Sequence, residues 1–402
     1  MNISALDENG KPVDWWFIYK VPKLVKEAGI DSASGYEYIY FDPKIGKLTK
    51  SPNLLTSGKG ALDLTLDTVF TKPSATTGWI LYNDEMPESA HRTDGNSFGH
   101  TKGVIAFDTA SKTAFWLLHS WPKFPDPGAK GMPTPDYGQT YLCISLDMPT
   151  ASKIAAQMAN HQEPQVFLPR VPTSLSKTDS LYLLTQPLNP DAAGDSNVIE
   201  LKSKGGLDFK VIAKNRKWNK DFWNDLVGPT LKADMDDETW IRGKIPPTLD
   251  SDGIHKTFDV KYIDLSPLNI NAPWAWPETH DHAKWGITTD ADWVCVGDIN
   301  RMVSQEKRGG GTIAFQCKPL WAALSKTDLL VAPPGHTRTD ARALIKATHG
   351  TAAKPAGKTT VSKAPATKVP AGKTPVSKVP VGKTPAKKAV PVPSKSRTKR
   401  TA

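Results

Sequence analysis

His100-Thr101-Lys102 runs into Gly103-Val104-Ile105-Ala106-Phe107-Asp108, and late in the chain His282-Ala283-Lys284 runs into Trp285-Gly286-Ile287-Thr288-Thr289-Asp290. Each copy is His-x-Lys, five residues, then Asp. In an extended chain alternate side chains share a face, so the His and Lys of each pair project together. A second apolar run follows each copy: Phe115-Trp116-Leu117-Leu118-His119-Ser120 after the first, Trp293-Val294-Cys295-Val296-Gly297-Asp298 after the second. Two strand-turn-strand units carrying the same pair of side chains point to a duplicated fold with one shared site.

Working outward, runs rich in β-branched and aromatic residues read as strands over 13–19, 79–82, 103–107, 114–119, 141–146, 293–297 and 311–315. Most are apolar throughout rather than alternating, as suits strands covered on both faces. Helical patterns are fewer, at 152–160, 221–226 and 319–326, and a long Pro- and Gly-rich connection spans 122–138. The class expected is mixed α/β, with layered sheets and large loops. Residues 1–160 form the first lobe with one motif, 161–333 the second lobe with the other, and 334–402 a linker and tail. A short helix is expected at 339–348.

The chain has 402 residues, 39% of them hydrophobic, with 13 Trp, 12 Phe and 9 Tyr, enough apolar matter for a sizeable core. Its net charge of +10 is unevenly placed: 13 of the 51 Lys and Arg fall in 351–402, where Asp and Glu are absent. The first 350 residues therefore hold 38 basic against 41 acidic groups, a net of −3. In the tail, lysine recurs every five residues from Lys358 to Lys388, with prolines between and no aromatics. Such a segment has no means to offset the entropy of ordering a core, so an extended, disordered basic arm is expected, with a polyanion as its partner. Three cysteines, Cys143, Cys295 and Cys317, are too few for a disulfide framework and are not spaced as a zinc site. No run of 18 apolar residues is present, so no membrane-spanning helix is expected. The opening Met1-Asn2-Ile3-Ser4-Ala5-Leu6-Asp7-Glu8 has no secretory-signal pattern, which makes the cytoplasm the default compartment unless export takes another route.

Two histidines and two lysines suit phosphodiester cleavage. A neutral imidazole attacks phosphorus, a protonated one donates to the leaving oxygen, and the lysines supply charge to the non-bridging oxygens without a metal or other cofactor. His280 and His282 can share a face and so a metal, but no further ligand is evident. Glycines 309–311 after Lys307 and Arg308 lack the Gly-x-x-x-x-Gly-Lys pattern of a nucleotide-binding loop, and read as a turn that lets backbones approach closely.

From about Asn9 to Thr327 the chain resembles the deoxyribonuclease II family, acid endonucleases distantly related to phospholipase D. The resemblance is carried by Gly10-Lys11-Pro12-Val13-Asp14-Trp15, Leu81-Tyr82-Asn83-Asp84, Gly99-His100-Thr101-Lys102-Gly103-Val104, Phe115-Trp116-Leu117-Leu118-His119-Ser120-Trp121-Pro122 and Tyr137-Gly138-Gln139-Thr140. It continues through Asp281-His282-Ala283-Lys284-Trp285, Cys295-Val296-Gly297-Asp298-Ile299-Asn300-Arg301 and Arg308-Gly309-Gly310-Gly311-Thr312. It implies a phospholipase D-like duplicated fold, two pseudo-symmetric sheet-and-helix lobes sharing one active site. It also implies metal-independent cleavage of double-stranded DNA at acid pH, leaving 3′-phosphate and 5′-hydroxyl ends, by a monomer acting as a pseudo-dimer or by a homodimer. His100, Lys102, His282 and Lys284 are then catalytic, with His119, Asp298 and Asn300 supporting them. Cys295 matches a family cysteine whose usual partner position is Ala314, with Cys317 three residues on, so a Cys295–Cys317 bridge is open. Ala5 stands near where an N-terminal cysteine would be, which leaves Cys143 without that partner. The basic tail has no counterpart in the animal enzymes. Two other classes fit parts of the chain: an inactive DNA-binding protein that works through its tail, and a lipid phosphodiesterase.

Overall fold

A strand such as Thr113–His119, Thr-Ala-Phe-Trp-Leu-Leu-His, carries apolar side chains on both faces and needs cover above and below. The computed structural model supplies that cover by stacking sheets. It describes residues 2–27, 29–90, 98–127, 132–188 and 195–327. The first sheet runs in the order β3 (Thr49–Lys50), β2 (Tyr38–Phe41), β1 (Trp15–Lys20), β7 (Gln139–Asp147), β6 (Thr113–His119), β5 (Lys102–Asp108), β4 (Thr77–Asn83), β8 (Val166–Arg170). The second runs β12 (Thr257–Asp259), β11 (Met235–Thr239), β15 (Lys284–Thr288), β16 (Trp293–Gly297), β17 (Gly310–Gln316), β10 (Asp208–Lys214), β9 (Ser196–Lys202). A small ribbon pairs β13 (Tyr262–Asp264) with β14 (Ala275–Pro277).

The period-two alternation of the strands sorts their side chains between two cores. Ile105, Phe107, Trp116, Leu118, Leu142 and Ile144 of the first sheet share one core with Val211, Ile287, Val296, Ile313 and Phe315 of the second. Trp15 meets Phe315 edge-on at 4.9 Å across this interface. Helices α2 (Met148–His161) and α5 (Lys318–Thr327) add Ile154, Met158, Leu320 and Leu324 to the same core. Asp147 caps α2 by accepting from Thr150 N at 2.8 Å, and α3 (Ser180–Leu183) rests on that helix. The other face of the first sheet, with Val104, Phe115, Leu117 and Tyr141, packs against α1 (Ala61–Phe70). The outer face of the second, with Ile212, Cys295 and Ala314, lies under a π-helical turn, Trp223–Val227, that continues into α4 (Gly228–Leu231).

The mixed α/β class with few helices is as expected, and the expected strands are all present. The centres of the two sheets follow one plan. In each, five antiparallel neighbours run β1-β7-β6-β5-β4 or β10-β17-β16-β15-β11, and a helix follows the second strand of that order. The two motif strands, β5 and β15, occupy the same place. The outer strands differ: β2 follows its inner neighbour in sequence, whereas β9 precedes it. Past residue 160, β8 still pairs with β4 of the first sheet. Cys143, Cys295 and Cys317 are all free thiols. Cys295 faces Ala314 across the β16–β17 register on the outer face, while Cys317 lies past the strand end and packs toward the shared core, so no bridge joins them. The helix expected at 339–348 and the basic stretch 351–402 lie outside the described residues.

Candidate active site

Lys102 and Lys284 are the first residues of their strands, and each histidine stands two residues earlier, where the chain enters the sheet. Each histidine is held by the opposite sheet. His100 N–H donates to Gly309 O at 2.8 Å, and Gly309 directly precedes β17. His282 N–H donates to Gly138 O at 2.9 Å, and Gly138 directly precedes β7. Both glycines are required by close approach. A Cβ on Gly309 would stand 2.6 Å from Gln162 O, and one on Gly138 would stand 2.6 Å from Asp281 Oδ1. The close backbone approach expected at glycines 309–311 is thus present, directed at the first motif.

Around the first motif, the Lys102 ammonium and the Asp84 carboxylate form a direct ion pair, 3% and 5% exposed and so out of water. Arg308 reaches the second Asp84 oxygen at 3.0 Å, and its guanidinium also donates to Phe98 O and Gly99 O. His100 Nε2 lies 4.0 Å from the same carboxylate. On the far side of the ring, Nδ1 makes a short contact with Asp298 O. A carbonyl only accepts, so Nδ1 carries the hydrogen and a neutral His100 presents a free lone pair at Nε2. Burial opposes ionisation of Asp84, yet Lys102, His100 and Arg308 outweigh it and hold the carboxyl well below the usual range. Asp298 behaves oppositely: burial pushes it well above that range, and Lys102 only partly offsets this.

The second motif is built from aromatic rings. The His282 imidazole stacks on Tyr137 at 4.0 Å and 17°, and Trp240 packs at 4.2 Å on the same ring. Asp281, one residue back, turns inward. It accepts from Tyr19 OH, from Trp276 Nε1 at 2.7 Å and from Ala283 N at 2.7 Å. That fixes the backbone between His282 and Lys284, whose ammonium donates to His282 O at 2.6 Å. Lys20 anchors the facing loop by donating to Pro135 O at 3.0 Å and Tyr137 O at 2.5 Å.

The two motifs feel one another. Burial, then repulsion from Lys102, brings Lys284 down to about 7, while the charge of Asp84 acts in the opposite sense. Burial and the Lys102 charge push His100 well below an ordinary histidine, with Lys284 adding to the effect. Burial, then Lys284, Lys102 and Arg242, takes His282 down to about 2. The site therefore holds neutral imidazoles amid cationic side chains, an environment suited to a bound anion.

The other residues singled out from sequence fall differently. Asp298 orients His100 through its carbonyl. Asn300 is buried nearby, and its side-chain oxygen has no partner among the described residues. His119 sits behind Lys102, with Nδ1 accepting from Trp121 N at 3.2 Å and the ring packed between Phe124 and Tyr141. No three His, Cys, Asp or Glu side chains gather as a metal-ligand set among the described residues, and Asp281, between the two histidines, is committed to Tyr19 and Trp276. Sequence reading did not single out Asp84, Arg308, Tyr137, Trp240 or Arg242 as site residues. Asp84, Tyr137 and Arg308 carry the one available signal, since each lies in a quoted family run.

Comparison with known proteins points one way. A family model described as deoxyribonuclease II matches residues 4–332. A Burkholderia pseudomallei protein that carries the name deoxyribonuclease-2 is 67% identical over 349 residues, covering 87% of this chain and 99% of the relative. The rat deoxyribonuclease-2-alpha is 33% identical over 338 residues, covering 80% of this chain and 91% of the relative. The Caenorhabditis elegans deoxyribonuclease-2 is 34% identical over 353 residues, covering 80% of this chain and 92% of the relative.

Proposed function

Because the chain belongs to the deoxyribonuclease II family, and so is a hydrolase of the endodeoxyribonuclease class with DNA as substrate, we propose that His100, Lys102, His282 and Lys284 perform the cleavage. The observation that supports this most is the exchange of backbone hydrogen bonds, His100 to Gly309 and His282 to Gly138, by which each lobe holds the other's histidine. That reciprocity, with the matching strand orders, favours a phospholipase D-like duplication in which the lobes around the two motifs share one site. One chain supplies both motifs, so the chemistry needs no second copy.

In the proposed reaction the Nε2 lone pair of His100 attacks the phosphorus, forming an N–P bond as the bond to the 5′ oxygen breaks. Protonated His282 gives its proton to that leaving oxygen, producing the 5′-hydroxyl end. Lys102 and Lys284 face the non-bridging oxygens and offset the charge that grows on them. Neutral His282 then takes a proton from water, whose oxygen attacks phosphorus. The N–P bond breaks with its electron pair returning to His100, and a 3′-phosphate end is released. The tautomer set by Asp298 O supports His100 as the nucleophile. Acid pH serves the other half, because His282 must gain a proton that its surroundings resist. An incoming phosphate offsets the repulsion from the lysines.

Supercoiled plasmid incubated at pH 5 with EDTA tests this. Nicking and linearisation are expected, with ends that resist polymerase extension until a phosphatase removes the 3′-phosphate. His100→Ala and His282→Ala should each lose nearly all cleavage, and Lys102→Ala about 10²–10³-fold. A magnesium requirement with an alkaline optimum, or near wild-type cleavage by either histidine variant, refutes the scheme.

A further inference from the structure

Next to His282 an ordered cationic arm reaches solvent. Arg242 is exposed, and its guanidinium lies over the Trp240 ring at 4.7 Å and donates to Tyr137 OH at 3.4 Å. Tyr137 and Trp240 are the two rings that hold His282, so the guanidinium stands one ring away from the imidazole. The base of the segment is anchored: Arg242 N donates to Met302 Sδ at 3.2 Å, and Val303 N to Lys244 O at 2.9 Å. Beyond the anchor, Lys244 is also exposed. Neither Arg242 nor Lys244 has a carboxylate partner among the described residues, unlike Lys102 and Arg308, which share Asp84.

A planar guanidinium stacked on an indole is held in one orientation and keeps most of its donors free, the form suited to gripping phosphate. Trp240 Nε1 and His282 Nε2 are both buried without hydrogen-bond partners among the described residues, so polar groups are left unsatisfied on the two rings that adjoin the guanidinium. On the Asp84 side both cations are paired with a carboxylate. The second motif's side therefore has the unneutralised guanidinium.

We propose that Arg242, set on Trp240, binds the DNA phosphate that flanks the scissile one on the His282 side, with Lys244 extending the contact along the same strand. This rests on the reading of DNA as the substrate of the His100–His282 site. The arm supplies binding to the strand and takes no part in bond breaking.

The test measures binding, not turnover, in a background that cannot cleave. His100→Ala protein is titrated with a fluorescent duplex oligonucleotide over a range of salt, alone and combined with Arg242→Ala or Arg242→Lys. Arg242→Ala should weaken binding about tenfold, as expected for one charge-assisted contact. It should also reduce the slope of log affinity against log salt by about 0.9, the value for one phosphate. Arg242→Lys, which keeps the charge, should retain most of that slope. Unchanged affinity and slope in Arg242→Ala overturns the proposal. So does a loss of kcat in the Arg242→Ala single variant without any change in binding, since Arg242 would then only brace His282. If the His100→Ala parent itself fails to bind DNA, the substrate reading fails first.

Discussion

Lys284 makes the proposed acid dependence testable at one residue. Burial and the facing Lys102 bring its ammonium down to about 7, so it is charged at pH 5 and mostly neutral at pH 9. In the proposed reaction the group must be charged to serve the phosphate oxygens, so its contribution should be lost as pH rises through that value. With a midpoint of about 7, the charged fraction at pH 9 is on the order of one in a hundred. On top of any fall from the histidines, kcat/KM should therefore lose about a further hundredfold between pH 6 and pH 9, since kcat/KM reports the free enzyme. Lys284→Arg, charged throughout, should lose that extra fall. The assay is the pH profile of kcat/KM on a short labelled duplex, each protein normalised to its own value at pH 5. If the normalised profiles coincide, Lys284 does not set the neutral limb, and the charge argument fails.

The same depressed groups govern stability. His100 and His282 resist protonation in the fold and bind protons readily when unfolded, so the unliganded protein should lose stability as pH falls below about 6.5. Inorganic phosphate should raise Tm more at pH 5 than at pH 8, and equal shifts would contradict a site whose cations gain charge in acid. Tyr19→Phe removes one donor from buried Asp281 and should cost about 1–3 kcal/mol of stability, measured by urea unfolding. Its kcat should fall with little change in DNA affinity, because Asp281 only positions the His282–Lys284 backbone. Truncation after Gly350 removes 13 positive charges. Cleavage of short oligonucleotides should persist, while binding to long DNA weakens and its salt dependence flattens, more at pH 7 than at pH 5. Equal affinity and salt slope at neutral pH would rule out a tethering role.

The motifs were legible because local spacing carries them: His-x-Lys before an apolar run reads the same at 100–108 and 282–290. The central strands were legible because residues apolar on both faces have few other uses. Helix α1 was not, since Leu62, Leu64 and Leu66 alternate with polar residues, a strand-like period, and only burial of Leu62 and Leu66 on one side reveals the helical face. The π-helical turn falls close to the helix expected at 221–226, displaced toward Val227, and the burial of Phe222 and Trp223 over the second sheet accounts for it. The partners of the histidines lie far away in sequence. Gly138 and Gly309 look like any turn glycines, and nothing local says that one carbonyl will receive His282 and the other His100. Asp84 is one of two neighbouring acids just past a strand end, Asp84 and Glu85, until folding sets Lys102, Arg308 and His100 around it.

That distribution of partners constrains how such a site can be built. Two buried ammonium groups and a partly buried guanidinium need a counter-charge, and Asp84, just past the end of β4, supplies it. The compensation is lopsided. Lys102 and Arg308 share the carboxylate, while the Lys284 ammonium donates to His282 O and is brought down to about 7, burial first and the Lys102 charge next. A phosphodiester entering between the lysines would provide the missing anion for Lys284 without displacing Asp84 from Lys102. The asymmetry extends to the imidazoles. One is locked by a carbonyl into the tautomer that leaves Nε2 with a lone pair, and the other is held by ring stacking, with its Nε2 buried and without a hydrogen-bond partner among the described residues. Two nearly equivalent strand plans thus end in unequal electrostatics, and in the proposed reaction that inequality is what would let two copies of one motif take opposite roles.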